Sequence, residues 1–286
     1  MMIAVERLTR ILRVLAASDH VLPHHARLSA ILIAPSDAGK SELILSHLPA
    51  GARVLDDFTS ASLYHLLKDP PRPSWIVVPD LNALISHKPS VANLTMANLL
   101  SLLAEGTSEI MGPDGAKMKL RDTEPNGIRL GLLTGITPEM FFARRGKWRA
   151  TGFLRRLIPL YYTYSTETQQ AIQSAIRGGH DATPYHRASM PGLAGPLRAV
   201  AIPRTIGRAI SDMSESSIRY NLRWGSLTDE TRNVRAFELP FSVHKTFRRY
   251  ARAHARLARR KIVTAPDLAA LEDFARFVRY DQPEIL

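Results

Sequence analysis

The octapeptide Ala34–Pro35–Ser36–Asp37–Ala38–Gly39–Lys40–Ser41 constrains this chain more than any other feature. It ends an apolar run, Leu28–Ala34 (LSAILIA), and opens a segment of helical character, Lys40–Leu48. Its last three residues match the end of the phosphate-loop pattern G-x-x-x-x-G-K-[ST], with Ala34 where the first glycine belongs. The residue types suit that task. Small side chains let a loop curl until backbone N–H groups converge on phosphate oxygens. Lys40 is placed to neutralise the β and γ phosphates of a nucleoside triphosphate, and the Ser41 hydroxyl to hold Mg²⁺. A helix beginning there adds a field that favours anions. The expected cofactors are ATP and Mg²⁺. The expected contacts are Ala34, Pro35, Ser36, Asp37, Ala38, Gly39, Lys40, Ser41 and Glu42.

Hydrolysis by such a loop needs an acid at the end of a neighbouring strand to hold the metal. Trp75–Pro79 (WIVVP) is a short apolar run ending at Asp80, which makes Asp80 the second expected metal-site residue beside Ser41. Many ATPases of this type carry a glutamate directly after that aspartate. Here the place holds Leu81, then Asn82. Another acid acts, with Glu105 and Glu109 as candidates, or turnover is slow, or ATP is bound with little turnover.

The wider pattern is α/β. Leu28–Ala34, Ala52–Leu55, Trp75–Pro79, Ile128–Gly135 and Leu157–Tyr162 read as buried strands. Helices fit between them: Lys40–Leu48, Thr59–Lys68 with Thr59 as its cap, and Pro89–Glu105 ending at Gly106. The alternation predicts a five-stranded parallel sheet with helices on both faces. One insertion interrupts it. Ser108–Leu120 (SEIMGPDGAKMKL) places two short runs around the turn Gly112–Pro113–Asp114–Gly115, a hairpin signal, and a second turn follows at Glu124–Gly127. Before the first strand, Met1–Ser18 has apolar residues at helical spacing broken by Arg7, Arg10 and Arg13, an amphipathic helix rather than a signal peptide. Gly178–Pro203 is rich in glycine and proline and reads as a linker. Beyond it the chain reads as mainly helical, with a basic helix over Ser242–Lys261 and a last helix opened by Thr264, Pro266 and Asp267. The expected organisation is a core over 1–177, a linker over 178–203 and a helical region over 204–286.

The order of loop strand, second strand, aspartate strand, hairpin, fourth strand and basic segment resembles the AAA+ class of P-loop ATPases. Within it, the hairpin looks like the pre-sensor hairpin of MCM-type helicases, and the stretch is also similar to ATPases of phages and mobile elements. The resemblance covers about Leu28 to Tyr164. It implies a polar sensor at the end of the fourth strand, for which Thr134 is the first candidate and Thr137 the second. It also implies an arginine finger donated across a subunit boundary just before the fifth strand. In Gly152–Pro159 (GFLRRLIP) Arg156 matches best, with Arg155 beside it. A guanidinium suits that role because it is permanently charged and forks onto phosphate oxygens. With Lys40 and Asp80, these residues make the expected catalytic set. In such helicases the hairpin projects into a pore, which implies that Lys117 and Lys119 face DNA.

Charge points the same way. The 286 residues carry 38 Lys and Arg against 26 Asp and Glu, a net charge of +12, which favours an anionic partner. Arg248, Arg252, Arg256 and Arg259 recur near i and i+4 along Ser242–Lys261 and share one helix face, either a DNA-backbone contact or a solvated surface. Phe141–Pro159 mixes basic residues with Phe141, Phe142, Trp148 and Phe153, whose rings read as packing. Cysteine is absent, so thiolate metal sites, disulfides and a cysteine nucleophile are excluded, and no metal cluster is expected. No run is long enough to span a bilayer, so a cytoplasmic protein without a membrane partner is expected. The leading reading is an oligomeric ATP-driven protein, a ring or filament acting on DNA without sequence preference as a helicase-like motor or loader. A non-motor ATP switch that assembles on DNA, and a small-substrate P-loop kinase, are the competing readings.

Overall fold

A computed structural model describes residues 5–22, 27–104, 106–112, 114–121, 127–178, 198–224, 240–278 and 282–286. Glu105, Pro113, the turn residues 124–126 and most of the glycine- and proline-rich stretch lie outside the described residues.

Six strands form one parallel sheet: β2 (Ala30–Ile33), β3 (Ala52–Val54), β4 (Trp75–Val78), β7 (Gly131–Ile136), β8 (Ile158–Thr163) and β10 (Glu284–Ile285). Their order across the sheet is β10-β8-β2-β7-β4-β3. The sheet therefore has one strand more than the five read from sequence. The addition is the short C-terminal β10, whose Glu284 and Ile285 pair with Tyr162 and Thr163. Two strand pairs lie outside this sheet. β1 (Val21–Leu22) runs parallel to β9 (Arg198–Ala199). The expected hairpin is present as antiparallel β5 (Glu109–Met111) and β6 (Lys117–Lys119), with Ile110 opposite Met118.

The helices are α1 (Glu6–Ala17), α2 (Lys40–Leu45), α3 (Ser60–Leu67), α4 (Asn82–Ser86), α5 (Pro89–Ala104), α6 (Pro138–Ala150) and α7 (Thr166–Arg177), then α8 (Arg204–Trp224), α9 (Pro240–Leu257) and α10 (Ala265–Phe277). Alternation along β2 divides the core into two layers, because successive side chains point to opposite faces. Ala30 and Leu32 join an apolar cluster with α1, α2, α9 and α10. Ile31 and Ile33 join a second cluster with α3, α4, α5 and α6. Both faces are thus covered, which is why β2, β4 and β7 are buried along their whole length. The aromatic residues Phe141, Trp148 and Phe153 are buried in the second cluster, as packing rather than exposed stacking surfaces, while Phe142 keeps 37% of its surface exposed.

The C-terminal helices are tied to the sheet by charge as well as by apolar contact. Arg7 on α1 donates to Asp273 (2.6 Å) and Glu284 (2.9 Å), joining α1, α10 and β10. Asp267, fully buried at the start of α10, accepts from the Thr264 N–H (2.7 Å), from His254 Nδ1 (2.6 Å) and from both terminal nitrogens of Arg260 (2.7 and 2.9 Å). Burial alone would raise this carboxyl. The bonds from His254 and Thr264, with the Arg260 charge, outweigh it and hold Asp267 below the ordinary carboxylate range. Its contribution is therefore complete at neutral pH and fades as acid protonates Asp267 below that range. Asp267→Asn is expected to cost about 2 kcal/mol, since it takes the buried anion from the half-buried Arg260 guanidinium. Urea unfolding at pH 7 checks the cost, and repetition under acid conditions should show the gap to the parent chain closing.

Candidate active site

Ligands of open parallel sheets bind outside the carboxyl ends of the strands. At that edge the chain leaves β2 into the loop Ala34–Gly39 and re-enters regular structure at Lys40. Two loop residues take left-handed backbone conformations, Asp37 at φ 62° and Gly39 at φ 68°. Gly39 does so without strain because it has no Cβ. Ala34 and Ala38 are buried, whereas Pro35, Ser36, Asp37 and Ser41 are exposed and Glu42 is half-buried. The Ala38 carbonyl accepts two hydrogen bonds from β8 and its end, from the hydroxyls of Tyr162 (3.0 Å) and Tyr164 (3.1 Å). A carbonyl oxygen has two lone pairs, so the pair satisfies it and fixes the loop against the sheet. These two tyrosines were not legible as site residues. Only the pairing of β8 with β2 brings them to the loop.

Lys40 folds back over the loop and donates to the carbonyls of Ala34 (2.8 Å) and Pro35 (2.6 Å). Burial lowers its pKa, and the carboxylates of Asp80, Asp37 and Glu139 oppose that in part. Asp80 follows β4 and is exposed, and its Oδ1 accepts from the Asn82 N–H (2.9 Å). Between the two lies the end of β7. Ala34 N donates to Ile136 O (3.3 Å) and Leu81 N donates to Gly135 O (2.9 Å), so the strand end links the loop to the aspartate turn. Gly135 is required by that approach. A Cβ there would stand 2.7 Å from the Pro79 carbonyl and 3.6 Å from the Lys40 Cβ.

The structure thus brings Lys40, Ser41, Asp80 and the loop to one edge. It places the sensor candidates differently. Thr134 is fully buried and its Oγ1 makes no hydrogen bond. Alternation puts it on the face of Leu132 and Ile136, while Gly135 faces Lys40. Thr137 stands at the open end of β7, and its hydroxyl does not cap α6. Glu139, exposed on the first turn of α6, was not singled out in the sequence. The signal was the T-P-E segment following a strand that proves adjacent to β2.

Arg155 and Arg156 lie at the opposite edge. Ile158 N bonds Ser29 O at the start of β2, so the arginines sit roughly 15 Å or more from the loop along the strand direction. Arg155 is exposed. Arg156 is half-buried and donates from Nη1 to Gly152 O (2.9 Å).

The basic helix departs from expectation. Its arginine stripe is packed rather than free: Arg256 keeps 5% of its surface, Arg252 donates to Val200 O (3.0 Å) and Arg248 is half-buried. The reason is that Val243, Phe247, Tyr250, Ala251, Ala253 and Ala255 bury most of the circumference of α9, so the arginine stems fill the remaining sector. Arg259, just past the helix end, is exposed, as are Lys117 and Lys119 on the hairpin. Lys117 stands 3.4 Å from Glu109 across the two strands. Among the described residues no group of three or more His, Asp or Glu side chains has metal-site geometry, and no helix is long and apolar enough to cross a membrane.

A parallel sheet flanked by helices, with a lysine- and serine-bearing loop at the carboxyl end of a central strand, is a P-loop-like α/β fold. The crystal structure of a full-length MCM homolog from Methanopyrus kandleri is similar to it, with a TM-score of 0.52 at 16% sequence identity. The match covers 98% of this chain and 57% of that one, so the chain spans little more than half the length of its structural neighbour. No family model matches the sequence, and no curated protein matches it.

Proposed function

We propose that the chain binds ATP with Mg²⁺ and hydrolyses it as an oligomeric AAA+ protein acting on DNA. The observation that carries this reading is the convergence of Lys40, Ser41 and Asp80 at one sheet edge, joined through Gly135 and Ile136. The donor set fits the ligand. The Lys40 ammonium has only carbonyl partners to leave, the exposed Ser41 hydroxyl and Asp80 carboxylate are hard oxygen ligands, and the loop presents small residues. Bound Mg²⁺ would neutralise charge on the phosphates. The chain's own residues hold and orient: the tyrosine-anchored loop cradles the phosphates, Lys40 neutralises them, and Thr137 takes the sensor role first considered for Thr134. Arg155 and Arg156, remote from their own loop, serve the site of a neighbouring subunit in a ring or filament.

A second reading, an ATP switch with little turnover, rests on Leu81, which fills the place after Asp80 and is fully buried. DNA-stimulated ATP hydrolysis with translocation supports the motor, and DNA assembly without either supports the switch.

DNA contact falls to the exposed hairpin lysines and Arg259, with Arg252 and Arg256 holding the fold. The expected result is salt-dependent, sequence-indifferent binding. Lys117→Ala and Lys119→Ala should each flatten the log–log salt slope by about 0.7 to 0.9 if each lysine meets one phosphate. Fluorescence anisotropy across a salt series measures this. Slopes that do not change would remove the hairpin from the interface.

A further inference from the structure

We propose that Glu139 is the carboxylate that takes the proton from the attacking water, in place of the acid that does not follow Asp80. This rests on the ATP-hydrolysing reading above. The geometry begins at β7. Its last residue, Ile136, accepts from Ala34 N at 3.3 Å, so the chain leaves β7 against the first residue of the phosphate loop. Pro138 then opens α6 directly, and Glu139 occupies its first turn. The same strand end accepts from Leu81 N at Gly135 O (2.9 Å), so the aspartate turn and Glu139 flank one strand terminus. Glu139 is exposed, as a base that must meet water has to be. Its charge acts on Lys40 together with those of Asp80 and Asp37.

Several neighbouring acids have other engagements. Glu109 stands 3.4 Å from Lys117 on the hairpin. Asp57, at the same edge after β3, has both carboxylate oxygens 2.8 Å from His87 Nε2. Asp80 is the metal-side acid, Asp37 lies within the loop, and Leu81 offers no carboxylate. Glu139 is the acid that directly follows the β7 terminus and whose charge acts on Lys40.

The step balances with water as the only co-reactant. The water oxygen forms a bond to the γ-phosphorus while the bond from that phosphorus to the β–γ bridging oxygen breaks. The electron pair of that bond stays on ADP. One water proton passes to the Glu139 carboxylate and is later released to solvent, and inorganic phosphate leaves.

The test is Glu139→Gln and Glu139→Asp in the full chain, with Mg-ATP affinity and single-turnover hydrolysis measured on the same preparations. Glutamine removes the base and one negative charge beside the triphosphate. Hydrolysis should fall about 10²-fold or more, while Mg-ATP affinity rises about threefold through relieved repulsion. A purely structural residue would not tighten binding. Aspartate keeps a carboxylate one methylene shorter and should restore part of the rate. Glu139→Gln that binds and hydrolyses as the parent does, or a loss that appears in Glu109→Gln instead, overturns the proposal. A parent chain that binds Mg-ATP without turnover also overturns it. A parent chain that binds no nucleotide removes the ATPase reading itself, a separate outcome.

Discussion

Replacing Arg155 and Arg156 together by alanine is expected to lower ATP turnover about 10³-fold or more while leaving Mg-ATP affinity intact, the range seen when a trans arginine is removed from a phosphoryl-transfer site. The separation follows from where these residues stand. They precede β8 at the amino end of the sheet, whereas the loop leaves β2 at the carboxyl end, so a chain's own pocket stays complete without them. The single variants should divide unequally. Arg155 is exposed and ready to reach a neighbour, whereas Arg156 must first leave the Gly152 carbonyl. Arg155→Ala is therefore expected to carry the larger share, although the sequence pattern favours Arg156. Mixing the double variant with Lys40→Ala subunits tests the trans geometry. Each is inactive alone, and mixed assemblies restore interfaces with an intact pocket facing intact arginines. Mixed oligomers that form and stay inactive would place the finger elsewhere.

Lys40→Ala is expected to weaken Mg-ATP binding by roughly 10²-fold or more and to abolish turnover. Lys40 is the cation folded over the loop, and a charge-assisted contact of this kind is worth about 1.5 to 3 kcal/mol. The loop itself should survive the change. Its shape is held by the Tyr162 and Tyr164 hydroxyls and by left-handed Gly39 as well as by the lysine. Equilibrium binding of a fluorescent ATP analogue, with circular dichroism as the check on folding, reads the effect directly.

The contrast between what the chain discloses and what it conceals follows from range. The strands of the sheet centre were legible because both faces are buried and the apolar runs are unbroken: Ala30–Ile33 and Trp75–Val78 fall inside the stretches read from sequence, and Gly131–Ile136 runs one residue past the expected end at Gly135. Thr59 caps α3 as expected because a capping box is a local pattern, closed here by Ser62. β10 was missed because two residues carry no periodicity, and only its pairing with Tyr162 and Thr163 makes it a strand. α2 ends at Leu45, short of the expected Leu48. At the site, Lys40, Ser41 and Asp80 stand out because residue type and spacing encode them. Tyr162, Tyr164 and Glu139 do not, since their roles depend on which strands lie beside β2. The arginines of α9 misled for the converse reason: spacing shows a shared face, but not that the face is packed.

The central claim is that one sheet edge holds a nucleoside triphosphate through Lys40, Ser41 and Asp80. The most direct measurement is a calorimetric titration of the parent chain with ATP, in the presence and absence of Mg²⁺. The account predicts saturable binding of one ATP per chain that tightens when Mg²⁺ is present, with the Mg²⁺ increment lost in Asp80→Asn. Absence of ATP binding under both conditions, or an affinity that is the same with and without Mg²⁺ in both proteins, would contradict it.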